Sequence, residues 1–291
     1  MVKLGVIYPQ TELQGDPQAV RRIALEAEAL GFDSLLAYDH VLGASHDRQP
    51  PLSGPYTEHH PFHDPLVMFG YLAAITERIT LTTGVLILPQ RQTALVARQA
   101  ADVDLLSGGR LRLGVGLGWN PVEYEALGQD FTRRGARVEE QVDLLRRLWT
   151  EPLLDFSGRF DRIDRAALNP RPRRPIPVWM GGFVDAALRR AARMADGFIF
   201  ADGAADAMAQ ITRLKDLLAE EGRPLEGFGL QCNMLKARSP EQVVEAVLRW
   251  RDAGGTDAAF ATMGQGFTTI AAHLDHVRRV ADALRAAGLL A

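Results

Sequence analysis

Apolar positions along the chain fall into two alternating rhythms. Short, nearly continuous apolar runs at 2–8, 79–88, 111–117, 177–181 and 228–235 read as strands buried on both faces. Between them, apolar residues recur every three or four positions, which is the repeat of an amphipathic helix. After Asp16-Pro17, an N-cap followed by proline at the first helical position, Val20, Ile23, Ala24, Ala27 and Leu30 share one face. Leu95, Val96, Gln99, Val103 and Leu106 repeat that spacing over 93–106, and Ser239-Pro240-Glu241-Gln242 opens a helix through Ala253 as a capping box. In 29–40, 105–116, 193–203 and 251–264 a helix runs through Gly31, Gly108, Gly197 or Gly254 into a short apolar strand. Each of these glycines is placed where a helix C-cap takes positive φ, open to a residue without Cβ.

Helix–glycine–strand joints along the whole chain predict an α/β fold with a parallel sheet. Four strands could form an open sheet, but the runs and joints together supply about eight, the number that closes a (β/α)8 TIM barrel. Residues 1–291 are read as a single barrel domain. Two stretches break the alternation and are expected as insertions after the second and fourth strands. Residues 43–63, rich in Pro, His and Gly, form a long polar loop, and residues 151–176, turn-rich and basic, form a small hairpin. Loops of this length inside a compact domain are usually lids or binding loops.

Composition removes several functions. A formal net charge of −3 gives no electrostatic reason to expect nucleic acid or an anionic membrane. One cysteine, Cys232, excludes an internal disulfide and a Cys-based zinc site, and leaves packing as its role. The start, MVKLGVIYPQ, reads directly as a strand, and no run of about 18 apolar residues occurs, so a soluble cytoplasmic protein is expected.

Candidate chemistry gathers at strand ends. Asp39-His40 closes the second strand and offers an acceptor beside a group that exchanges protons near neutrality; the alternative is a turn cap beside a merely polar residue. Thr82-Thr83-Gly84-Val85 places a glycine inside an apolar strand, which marks a bulge, a close ligand approach or a bend. Gly114, Gly116 and Gly118 precede Trp119-Asn120, but lack the spacing and acidic partner of a dinucleotide fingerprint. Gly181-Gly182 before a helix near Asp185 suits a phosphate, or is simply a βα turn that needs small residues. Five of seven histidines (His40, His46, His59, His60, His63) lie between 40 and 63; none has the paired helical spacing of metal motifs, so a polar lid is expected and no metal site is assigned.

Together, YDHV (38–41), ERITLTTGVLILPQR (77–91), LSGGRLRLGVGLGWNPVEYEALG (106–128), RRGARVEEQVDLLRRLW (133–149) and PRPRRPIPVWMGG (170–182) resemble the bacterial luciferase-like superfamily of flavin and deazaflavin oxidoreductases. The likeness covers nearly the whole chain and is nearest the branch using coenzyme F420, an 8-hydroxy-5-deazaflavin. It implies a barrel with the cofactor in its C-terminal mouth. Gly84–Val85 would be a non-proline cis peptide bulging against the cofactor, Asp39 would hydrogen-bond it, and Gly118 and Asn120 would line it. Gly181 and Gly182 would hold its phosphate, and His40 would be the catalytic proton donor or acceptor. Where some sugar-phosphate-oxidising members carry a catalytic glutamate, this chain has Trp119, so that activity is not carried over. The function implied is hydride transfer between F420 and a small organic substrate, in a protein that by family habit is a homodimer. The alternatives are an FMN-dependent monooxygenase using dioxygen, a metal-dependent barrel hydrolase or lyase, and a non-catalytic flavin-binding protein.

Overall fold

The computed structural model describes residues 1–203 and 205–291. In chain order it runs β1 (Lys3–Ile7), α1 (Pro17–Ala29), β2 (Ser34–Ala37), α2 (Pro65–Ala73), β3 (Thr80–Thr83), β4 (Leu86–Ile87), α3 (Thr93–Leu106), β5 (Leu111–Gly116), α4 (Pro121–Ala126) and α5 (Arg134–Thr150). It continues through a hairpin of β6 (Leu154–Ser157) and β7 (Arg162–Ala166), then β8 (Val178–Gly181), α6 (Asp185–Met194), β9 (Gly197–Ala201), α7 (Ala207–Glu220), β10 (Gly229–Met234), α8 (Pro240–Asp252), β11 (Asp257–Ala261) and α9 (Ile270–Ala286). The strands pair in the order β3-β2-β1-β11-β10-β9-β8-β5-β4, and β3 also pairs with β5, which closes the sheet. All of its pairings are parallel, and β3 and β4 are two pieces of one stave, so the closed sheet is a (β/α)8 barrel. Both expected insertions are present: 43–63 lies between β2 and α2, and the antiparallel β6–β7 hairpin lies before β8.

Outward-facing strand residues and the inner faces of the helices make the main core. Val20, Ile23, Ala24 and Ala27 of α1 are buried as their spacing requires, and the Asp16 carboxylate caps α1 by accepting from Gln18 N at 2.8 Å. Inside the barrel, the N-terminal end is filled by Arg112, which pairs with Asp257 at 2.9 Å and lies 4.0 Å over the Trp179 ring. Towards the C-terminal mouth the interior holds Ile7, Leu36, Ala259 and Ala261, and the two alanines keep that end wide.

Four expectations are corrected. The single strand expected over 79–88 is broken: β3 pairs with β2 and β5, whereas β4 pairs with β5 alone. The Gly84–Val85 link at the break is trans, since the cis bonds among the described residues are Gln49–Pro50 and Asn169–Pro170. Gly197 is not among the positive-φ glycines. It is required for space, because a Cβ there would stand 2.5 Å from the Trp179 ring. Of the face expected over 93–106, Val96 and Val103 are buried but Leu95 and Leu106 are 51% and 69% exposed, because the inward side of α3 is completed by Ala97, Ala100 and Asp104.

Candidate active site

His40 follows β2 at the C-terminal mouth, where parallel barrels gather their chemistry. Its Nδ1 lies 3.1 Å from Glu123 Oε2, on α4, while Glu123 Oε1 accepts the Val41 and Leu42 backbone N–H groups at 2.7 and 3.1 Å. Glu123 is 1% exposed, so an otherwise costly buried carboxylate has both oxygens engaged. The tautomer that carries its proton on Nδ1 donates to this carboxylate and leaves Nε2 as the second ring nitrogen. Among the described residues Nε2 has no hydrogen-bond partner.

Three rings meet the imidazole edge-on. Phe62 lies at 4.9 Å between centroids, Tyr56 at 5.2 Å and Trp119 at 5.7 Å. Tyr56 and Phe62 belong to the 43–63 loop, and Gly54 of the same loop packs so closely on Trp119 that a Cβ would stand 2.1 Å from its ring. The loop therefore lies over His40 as a lid fastened to the loop after β5. Burial pushes the Tyr56 phenol up to about 12, so it stays protonated at neutral pH.

Asp39 stands apart from this face. Its side chain is fully buried, its carboxylate accepting from Arg91 Nη2 at 2.7 Å and from Ile87 N at 2.8 Å. Arg91 also holds Asp64, the N-cap of α2, at 2.9 Å. Burial pushes the Asp39 carboxyl above the usual carboxylate range, against the pull of Arg91 and of the Ile87 N–H. Both oxygens are engaged within the protein, Oδ1 by Arg91 and Oδ2 by the Ile87 N–H. Through these bonds Asp39 ties the end of β2 to β4 and, by way of Arg91, to the start of α2.

The glycines do converge. Val85 projects against Gly116 and Gly181, since a Cβ would stand 2.3 Å from Val85 Cγ2 at the first and 2.9 Å from Val85 Cγ1 at the second. Gly84 fits beneath β2, its N–H donating to Ala37 O at 2.7 Å. Gly118 takes φ +65° and lies under Ile87. Asn120 caps α4 by accepting from Val122 N at 3.0 Å and donates to Leu42 O at 3.4 Å. At 2% exposure its amide links the start of α4 to the loop after β2. After Gly181-Gly182, α6 begins with no side chain capping its first N–H groups, and Phe183 and Val184 beside them are 56% and 63% exposed. The negative charge of Asp185 there is met by Arg189 at 2.6 Å and Arg213 at 2.9 Å. A bare helix N-terminus behind two glycines fits a cofactor phosphate.

Sequence reasoning left Glu123 without a direction and Arg91 without a role. Glu123 stands three residues after the Asn120 N-cap, a spacing that reads as a local cap, whereas its side chain reaches across to the loop after β2. The remaining lid histidines do not assemble a metal site: among the described residues no group of three or more His, Cys, Asp and Glu could hold an ion. Two cavities, of about 760 and 750 Å³, lie between α7 and α8 and at the N-terminal end of the barrel, and neither includes His40.

Comparison with known proteins gives the arrangement its context. Residues 3–289 match the family model described as luciferase-like monooxygenase. An uncharacterized protein of Mycobacterium tuberculosis is 35% identical over 240 residues, 81% of this chain and 82% of its own length. A protein of Intrasporangium calvum named F420-dependent glucose-6-phosphate dehydrogenase is 33% identical over 264 residues, covering 87% and 72% of the two chains. Among solved structures, monooxygenase RslO1 from Streptomyces bottropensis shares the fold with a TM-score of 0.81 at 20% identity, covering 99% of this chain and 100% of that one. An F420-dependent secondary alcohol dehydrogenase in complex with an F420–acetone adduct does so with a TM-score of 0.76 at 16% identity, covering 98% and 99%.

Proposed function

The chain belongs to the luciferase-like monooxygenase family and is an oxidoreductase, and on that footing we propose that it moves a hydride between coenzyme F420 and a small organic substrate. One observation carries the reading: an imidazole held by a buried carboxylate at Nδ1, with Nε2 unengaged at the barrel mouth. Hydride transfer to a carbonyl-type group needs a proton delivered to its heteroatom, and the reverse needs one removed; His40 Nε2 is placed to do either. Glu123 fixes the tautomer and steadies the protonated ring. Tyr56, Phe62 and Trp119 exclude water around it. Val85, with Gly116 and Gly181 behind it, would support the cofactor ring, and Gly181, Gly182 and the start of α6 would hold its phosphate. When bound, F420 supplies a two-electron hydride carrier that reacts poorly with dioxygen.

For the homodimer that the family resemblance implies, we propose the outer side of α2 as a contact face, where Val67 and Tyr71 are 69% and 45% exposed. No helix among the described residues is long and apolar enough to cross a membrane.

Titrating purified apo-protein separately with F420 and FMN, following fluorescence quenching, tests the reading. F420 is expected to bind at least about tenfold more tightly, a difference of about 1.4 kcal/mol. Preference for FMN would replace it with the dioxygen-using monooxygenase.

A further inference from the structure

Independently of the reaction proposed above, we infer that the cavity at the N-terminal end of the barrel is a second ligand site, which takes a monocarboxylate with a flat apolar body. It measures about 750 Å³, inside the range of about 300–1,000 Å³ usual for small-molecule sites. It lies at the starts of β1, β8, β10 and β11, the opposite end of the barrel from His40.

Its walls offer donors that the chain itself does not use. Arg112 Nη1 is engaged, lying 2.9 Å from Asp257 Oδ1 and donating to Gln231 Oε1 at 3.2 Å. Gln231 is held in turn, donating from Nε2 to Asn233 Oδ1 at 2.9 Å, and the guanidinium lies 4.0 Å over the Trp179 ring. The guanidinium is therefore fixed in place before a ligand arrives. Arg112 Nε and Nη2 have no partner among the described residues, yet both atoms keep access to solvent. The same holds for the indole Nε1 of Trp179, although that residue is only 6% exposed. Both side chains line the cavity, so these N–H groups open onto it. A largely buried donor without an acceptor is costly, and a ligand oxygen satisfies it.

Charge selects a carboxylate. Lys3 and Asp257 stand side by side in register, and Asp257 is committed, Oδ1 to Arg112 and Oδ2 to the Thr256 hydroxyl at 2.6 Å. Asp196, also on the wall, accepts from Val178 N at 2.8 Å and pairs with Arg146 at 3.0 Å. Glu226 is exposed, where solvent and salt screen it. With Asp196 matched by Arg146, Lys3 and Arg112 face one buried carboxylate, Asp257, and a single further carboxylate balances them. Guanidinium–carboxylate hydrogen bonds are among the strong ones. Pro175, Pro177, Leu225 and Phe228 complete the walls, an apolar surround for a flat ring.

The test titrates 2-naphthoate, and 2-naphthylmethanol as its uncharged analogue, into purified protein with and without F420. Saturation-transfer NMR reads contact and calorimetry reads affinity. Naphthoate is expected to bind equally well in both forms, and the alcohol at least about tenfold more weakly. Trp179→Phe keeps the ring and removes the N–H, and should weaken naphthoate about tenfold. Lys3→Met keeps the stem of an exposed side chain and removes its charge; affinity should fall about threefold and lose most of its dependence on salt. Absence of saturation at millimolar naphthoate overturns the inference, as does displacement of naphthoate by F420, which would put it at the other end of the barrel. Equal affinity for the alcohol, or parent affinity in both variants, overturns it as well. If Trp179→Phe does not fold, Lys3→Met decides alone. Each of these outcomes leaves the F420 reading to its own titration.

Discussion

Replacing Glu123 by Gln separates catalysis from folding at this site. The carboxylate accepts from Val41 N at 2.7 Å and Leu42 N at 3.1 Å and faces His40 Nδ1 at 3.1 Å, all at 1% exposure. Hydrogen bonds to a charged group contribute about 1.5–3 kcal/mol each, and a buried unpaired amide costs about 1–3 kcal/mol. Glu123→Ala would strand two backbone N–H groups and mostly report on stability. Glu123→Gln keeps one oxygen for those amides and sets an NH2 group opposite Nδ1. The imidazole must then accept at Nδ1, which puts its proton on Nε2 and removes the charge that steadies the protonated ring. We expect kcat/KM for ketone reduction by reduced F420, followed by recovery of deazaflavin absorbance without oxygen, to fall by about 10²–10⁴-fold. The pH dependence of the rate should change shape, while F420 affinity holds and the melting temperature drops by only a few degrees. Parent kcat/KM with an unchanged pH profile would refute the pairing as a catalytic device and leave Glu123 a loop anchor.

Other consequences concern stability and assembly. His273 and His276 on α9 are 0% and 2% exposed, and burial holds both imidazoles below their ordinary value. The unfolded chain therefore takes up these protons first, so stability is complete above the unfolded value of about 6.5 and falls as pH drops towards the folded values. The melting temperature should decline between pH 7.5 and 5.5, and His276→Leu, which removes a buried Nε2 without a partner, should flatten that decline; an equally steep slope in the variant refutes the assignment. Arg91→Met strands the fully buried Asp39 carboxylate and should cost about 3–5 kcal/mol in urea unfolding, with part recovered when Asp39→Asn is added. No recovery in the double variant would show that the charge was not the cause. On the proposed homodimer, the parent is expected to show a dimer mass in light scattering and Tyr71→Glu, on the outer side of α2, a monomer mass; a monomeric parent refutes the dimer, and a dimeric Tyr71→Glu removes that face from the interface.

Much of the fold was legible because it rests on local periodicity. Asp16-Pro17 and Ser239-Pro240 start helices where a cap or a preset φ favours it. Gly31, Gly108 and Gly254 end them with φ between +68° and +90°. Gly197 shows the limit of that logic: the same helix–glycine–strand pattern serves a different need, set by a tryptophan on the neighbouring strand. The site was legible as a set of strand ends but not as a division of labour. Asp39 and His40 are adjacent in sequence just beyond β2, yet one enters an ion pair with Arg91 and the other faces the lid.

The chain's own pattern determined an alternating barrel, where its irregular loops fall, and which strand ends carry polar groups, because hydrophobic period and cap chemistry act over a few neighbouring residues. Tertiary structure alone decided that Glu123 meets His40 across 83 positions, that Asp39 pairs with Arg91 and the Ile87 N–H while Asn120 caps α4, and that the Gly84–Val85 link is trans. Those outcomes depend on how closing the barrel brings distant loops to one rim and which buried polar groups then need partners, and no local stretch of sequence contains that information.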